Sequence, residues 1–202
     1  MILALETSSS SGSLAIGEAG QIVEVREIEA SRHSAVLFSA LQELSVAALP
    51  IQTVIVGIGP GSFSSIRVSI AAAQAIAFAK GARLRTLCSA WSLALQFADV
   101  PRLGVFADAR RGELYGTLFS LGRIEKPTFA FPRADLPKLV QSVDLALSAE
   151  ELGPGMRRAY PRAEDFVRLP QDHTAFSEDP FPEPIYLRGP LAAVAGASAQ
   201  LS

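Results

Sequence analysis

The chain has 202 residues, with 18 Lys plus Arg against 20 Asp plus Glu, a formal net charge of −2 at pH 7 and a pI near 5.7. That balance argues against a nucleic-acid binder working through bulk basic charge, and 49% apolar residues argue against a disordered chain. A single cysteine, Cys88, excludes an internal disulfide framework and fits a reducing compartment; with only two histidines, His33 and His173, little material is left for a metal site.

The chain opens on Met1-Ile2-Leu3-Ala4-Leu5 and runs straight into Glu6, without the basic start of a signal peptide. The longest apolar stretch, 69–79, contains Gln74 and falls short of the roughly 20 residues that span a bilayer. A soluble, cytoplasmic protein is expected, with no membrane contact.

Residues 2–5 and 13–16 read as short strands around the polar turn Thr7-Ser8-Ser9-Ser10-Ser11-Gly12, and a third strand starts at Ile22 and runs toward Ala30. Ser31 or Ser34 can cap a helix over 35–48, whose core stripe is Leu37, Leu41, Leu44 and Ala48. Val36, Phe38 and Ala40 lie off that stripe, so the helix has apolar surface to spare for a partner. Thr53-Val54-Ile55-Val56 has the look of a central parallel strand. It leads through Gly57-Ile58-Gly59-Pro60-Gly61-Ser62 into a helix over 63–80, rich in Ala and closed by Gly81. A strand over 83–87 and a helix over 89–97 complete the order βββαβαβα.

After Pro101 the order begins again, with strands over 103–107, 113–121 and 123–130, a short helix over 136–140 and a strand over 143–147. Beyond Gly153 the prolines among acidic residues predict an irregular wrap. The second half thus reads as a shortened copy of the first. The expected division is 1–98, 99–188 and a mobile tail over 189–202.

Chemistry concentrates in two turns. Gly59, Gly61 and Ser62 sit between a buried strand and a helix N-terminus, a place that suits an anion cradle, although the plainer and favoured alternative is a tight turn with Ser62 as the cap. The Gly-Lys-Ser/Thr ending of a P-loop is missing. Glu6, Thr7 and Ser8 form a hydroxyl-rich loop of the kind that wraps phosphates in actin-like ATPases and sugar kinases; the plainer alternative is a polar turn with a solvent-facing carboxylate. Asp108-Ala109-Arg110-Arg111-Gly112-Glu113 is either an anion-holding pair of arginines or a salt-bridged hairpin turn. Cys88 has no base beside it and reads as a small buried hydrophobe. His33 reads as a locally bonded helix-start residue. The two histidines form no metal-ligand motif, so neither a metal nor a catalytic residue is assigned.

Taken together, Ile2-Leu3-Ala4-Leu5-Glu6-Thr7-Ser8, His33-Ser34, Val56-Gly57-Ile58-Gly59-Pro60-Gly61-Ser62-Phe63 with Arg67, Asp108 to Glu113, and Ile185-Tyr186-Leu187-Arg188 occur in the order of a known family. The chain resembles the bacterial TsaB (YeaZ) family, which supports threonylcarbamoyladenosine (t6A) formation in tRNA, and the resemblance spans nearly the whole sequence. It implies an α/β fold of the two-domain actin-like ATPase (ASKHA, ribonuclease H-like) superfold with a reduced second domain. It implies a non-catalytic scaffold subunit that pairs with the catalytic TsaD, is joined by the ATPase TsaE, self-associates through its N-domain helices, and meets tRNA only through the complex. No cofactor of its own is implied, and ATP or ADP would lie at the interface of the complex.

On that resemblance the nucleotide-facing loops would hold Glu6, Thr7, Ser8, Gly59, Gly61, Ser62 and Arg67. The partner interface on the first two helices would hold His33, Val36, Phe38, Ile70, Ala72, Ala73 and Ile76. Glu6 stands where the family usually has Asp, and Ser64-Ser65-Ile66-Arg67 where it usually has Thr-Gly-Leu-Arg, so Ser65 adds a side chain at the helix start. The rival is an active small-molecule kinase or ATPase of the same superfold; a metallopeptidase would need more histidines.

Overall fold

The structure is a computed structural model that describes residues 1–29 and 33–185. Strand β1 (Ile2–Glu6) is buried along its whole length, because it lies in the middle of a sheet covered on both faces. It pairs antiparallel with β2 (Ser11–Glu18), which pairs antiparallel with β3 (Gln21–Glu29). On its other side it pairs parallel with β4 (Thr53–Gly57), and β4 with β5 (Arg83–Leu87). The order is β3-β2-β1-β4-β5.

The parallel crossovers carry helices α1 (His33–Glu43) and α2 (Phe63–Lys80), and α3 (Ala90–Gln96) follows β5. Side-chain alternation divides the sheet cleanly. Leu3, Leu5, Leu14, Ile16, Val54 and Val56 face α1 and α2, while Ile2, Ala4, Ala15 and Ile55 face a second core.

The second sheet repeats the first strand for strand. β6 (Arg102–Arg110), β7 (Glu113–Ser120) and β8 (Arg123–Pro132) are antiparallel; β9 (Leu145–Ser148) and β10 (Arg157–Arg158) continue in parallel, giving β8-β7-β6-β9-β10. Reduction is visible in the crossovers. One turn of 3-10 helix (Arg133–Asp135) and the six-residue α4 (Leu136–Gln141) stand where α1 stands in the first half. A loop replaces α2. Twofold repetition of this order is the two-domain actin-like ATPase superfold, with the second copy shortened.

Two expectations need correction. The first helix ends at Glu43 instead of continuing to Ala48, because Ser45 takes a left-handed conformation (φ +51°). The chain then winds through turns in which Leu44 and Val46 are still buried. Lys80, at the end of α2, donates to the Ala47 and Leu49 carbonyls there (2.6 and 2.9 Å).

Second, the irregular wrap after Gly153 contains β10 and a further helix, α5 (Ala163–Arg168). This helix turns back to the first sheet and packs across β1, β2 and β3. Phe166 and Val167 are fully buried there in the core that also takes in Trp91, Leu103 and Phe119. A buried carboxylate fixes α5 to α3: Ser92 Oγ (2.7 Å) and Gln96 Nε2 (2.9 Å) donate to Asp165 Oδ2, and Arg168 donates to Oδ1 (3.2 Å).

The tail expected over 189–202 and the Tyr186-Leu187-Arg188 part of the motif lie outside the described residues, as do Ser31 and the side chains of His33 and Ser34. No helix among the described residues is long and apolar enough to cross a membrane.

Candidate functional site

Glu6 ends β1 beside Gly57, which ends β4. The carboxyl tucks under this glycine: a Cβ on Gly57 would lie 2.0 Å from Glu6 Oε2. Glu6 is fully buried and not solvent-facing, which corrects the polar-turn expectation. Ser8 N–H donates to Glu6 Oε1 (2.6 Å), while Oε2 has no hydrogen-bond partner. Burial pushes the Glu6 carboxyl above its ordinary range, against the lowering effect of hydrogen bonds from Ser8 and Ser89.

The two loops interlock rather than frame an open space. Ser62 N–H donates to Ser8 O (2.7 Å), and a Cβ on Gly61 would meet the same carbonyl at 2.0 Å. Gly59 N–H donates to Ser89 Oγ (3.1 Å), and Ser89 N–H returns to Gly59 O (2.8 Å). Thr7 Oγ1 donates toward Ser65 O (3.1 Å) and Ser69 Oγ (2.9 Å). Ser65 itself is buried with its hydroxyl 2.9 Å from Ser62 Oγ, so its added side chain is spent within the loop.

A cleft of about 620 Å³ opens on the outer side of this pair of loops. Gly61, Ser62, Phe63 and Ser64 form one wall, and the β6–β7 turn from Asp108 to Arg111 forms the other, with Tyr115 and Glu150 between. Asp108 is held on several sides: its N–H donates to Glu150 Oε2 (2.7 Å), its Oδ1 accepts from Arg110 N–H (2.9 Å), and Arg133 lies 3.6 Å away. Arg111 makes no ion pair with a described residue, so the turn is partly salt-bridged and partly free.

Of the residues expected at a nucleotide, only Gly61 and Ser62 line this cleft; Glu6, Thr7, Ser8 and Gly59 are sealed beneath, and exposed Arg67 lies outside over the Phe63 ring (5.3 Å). Tyr115 and Glu150 were not singled out in the sequence. Glu150 carries no local motif and reaches the cleft only through the β6–β9 pairing.

The second feature is a groove of about 400 Å³ between α1 and α2, lined by Phe38, Leu41, Ala72, Ala75, Ile76 and Ala79 among others. Phe38 is 56% exposed. Val36 and Ile76 are half-buried, and Ala72 forms part of the floor. Ile70 and Ala73, expected at the interface, belong instead to this chain's own core, since they sit on the sheet-facing side of α2.

Cys88 is half-buried, 3.5 Å from Thr128 Oγ1, and burial pushes its thiol up. His173 packs edge-on against Trp91 (5.0 Å) and accepts from Ala175 N–H (3.1 Å). Among the described residues no three His, Cys, Asp or Glu side chains gather as a metal site would require.

Residues 27–126 match the model of the TsaD family, tRNA N6-adenosine threonylcarbamoyltransferase. No curated protein matches the sequence. Among solved structures, YeaZ from Pseudomonas aeruginosa superposes with a TM-score of 0.62 at 21% identity, over 82% of this chain and 88% of that one. An uncharacterized protein with similarity to peptidase YeaZ, also from Pseudomonas aeruginosa, gives 0.65 at 22% identity, over 93% and 99%. The chain is thus of the YeaZ type in its fold, and close to half of it is shared with the TsaD family.

Proposed function

We propose that this chain is a non-catalytic subunit of a tRNA N6-threonylcarbamoyladenosine-forming complex, supporting a TsaD-type catalytic partner through the α1–α2 groove. The observation that carries this reading is the contrast between the two features above. The loops where reactive groups would be expected are bonded to each other, whereas the groove leaves apolar surface, Phe38 foremost, open to solvent. Small Ala side chains on α2 permit close approach of another helix, and Phe38 is the anchor. On this reading a TsaE-type ATPase joins the pair, a homodimer competes for the same groove, tRNA is met through the assembly, and the setting is cytoplasmic.

The test is reconstitution with the TsaD of the same organism. Phe38→Asp and Ala75→Trp, both at exposed positions of the groove, are expected to abolish co-purification and t6A synthesis while the free chain keeps its unfolding midpoint. Ala72 is less suitable because it is buried. Retained complex formation by both variants would sink the reading.

A second reading, a small-molecule kinase or ATPase, is favoured by the open cleft with Arg111 on its wall. It requires phosphoryl transfer by the isolated chain, diminished by Arg111→Ala. Absence of turnover removes it.

A further inference from the structure

The sheet face that carries Ile55 and Leu87 into the core changes character toward the start of β4 and β5. The alternation that buries Leu87 turns Arg83 and Arg85 to the same side of β5, and the one that buries Ile55 turns Thr53 the same way on β4. With Gln52 and, from the segment after α5, Gln171, these residues line a polar cavity of about 400 Å³. No described carboxylate lines it.

Arg85 is already fixed in place. Its guanidinium carbon lies 4.3 Å from the Phe176 ring centroid, its Nη1 donates to Gln171 O (2.5 Å), and its Nε lies 3.5 Å from Glu178 Oε1. The side chain is 13% exposed. Neither of those polar contacts uses Nη2. Arg83, two residues earlier on the same side of the strand, is exposed and bonded to no described side chain. Arg85 reaches Glu178 only through Nε and Arg83 has no described counter-ion, so the cavity presents positive charge that no carboxylate in its lining neutralises. A guanidinium already stacked and pinned loses little freedom on binding.

We infer that this cavity binds a phosphate group, bridged by Arg83 and Arg85, with the Gln52 amide and the Thr53 hydroxyl as further donors. Guanidinium forks match phosphate oxygens in geometry and charge. The phosphate can belong to an RNA backbone or to a free phosphate compound. The inference stands apart from the α1–α2 groove and survives or fails independently of it.

The test is titration of the full chain with inorganic phosphate at constant ionic strength, followed through the arginine Nε–Hε signals. Saturable shifts at Arg83 and Arg85 are expected. In Arg83→Gln, which alters an exposed side chain, the Arg85 response should weaken at least ~10-fold, as loss of one charge-assisted pair predicts. Arg85→Lys, which keeps the charge but loses the fork, should weaken the response still read at Arg83. A short oligouridylate that displaces phosphate from the same signals identifies RNA as the source. Phosphate binding undisturbed by the RNA identifies a free phosphate compound; both outcomes support the site. Arginine signals that do not move, or an Arg85 response unchanged in Arg83→Gln, overturn it.

Discussion

The turn after the first strand of each half occupies an equivalent place in the repeated topology, yet the two turns have opposite fates. After β1, Glu6 is buried under Gly57, and Ser8 and Ser62 lock the turn to the start of α2. After β6, the turn stands at the cleft wall, Asp108 only partly covered and Arg110 83% exposed. Gly57 is the difference at the level of residues: its missing side chain is the space that the Glu6 carboxyl fills. A duplicated scaffold therefore does not guarantee duplicated chemistry. At the first turn one absent Cβ gives the strand-end carboxyl the room in which it is stowed.

The halves also differ in how they are covered, and that difference gives the largest expected effect. The first sheet depends on α5 for its second face, so Phe166→Ala should cost about 3–5 kcal/mol in denaturant unfolding, as for a fully buried aromatic. A loss below about 1 kcal/mol would mean that the returning helix contributes little to this core.

Next in size is the pair of turns itself. Gly57→Ala forces a methyl into the carboxyl and should cost about 3 kcal/mol, the upper end for overpacking. Gly112→Ala, at φ +81° with nothing within 4 Å, should cost only about 1 kcal/mol of left-handed strain. Equal shifts of the melting temperature for the two would erase the contrast.

The smallest effect is in pH dependence. A carboxyl whose folded pKa lies above its unfolded value favours folding while protonated, and that contribution is lost as pH rises from the ordinary glutamate value of 4.5 through the raised folded one. Glu6→Gln should flatten the stability profile over that window and leave the variant relatively more stable at neutral pH. A profile identical to that of the parent would show that Glu6 is not the titrating group.

Most of the fold was legible because period-two and period-3.6 patterns are strong in the first half. The limits of α2 and β5 coincide with those read from the Ala run and from Gly81. What escaped did so for physical reasons. α5 is only six residues long, so its buried Ala163, Phe166 and Val167 fill a single turn and set up no repeating stripe. They gain their partners from strands far away in sequence, which no local pattern announces. The end of α1 turns on a left-handed serine, which no composition rule marks.

At the site, the Gly-rich loop and the Glu6 turn were legible as special but not as mutually bonded, since interlocking is a property of two segments. The surplus apolar surface of α1 was legible through Phe38. That Ile70 and Ala73 face inward was hidden, because α2 is apolar on nearly every side and offers no phase from which to choose a face.

The return of α5 also constrains the order in which the protein is made. While the ribosome is still translating the second half, Ile2, Ala4 and Ala15 wait without the helix that packs across their strands, and they gain that cover only after Leu169 has left the exit tunnel. Biogenesis of the amino-terminal half is therefore completed by the carboxy-terminal one, and a nascent chain stalled before that point would display a sticky sheet to chaperones.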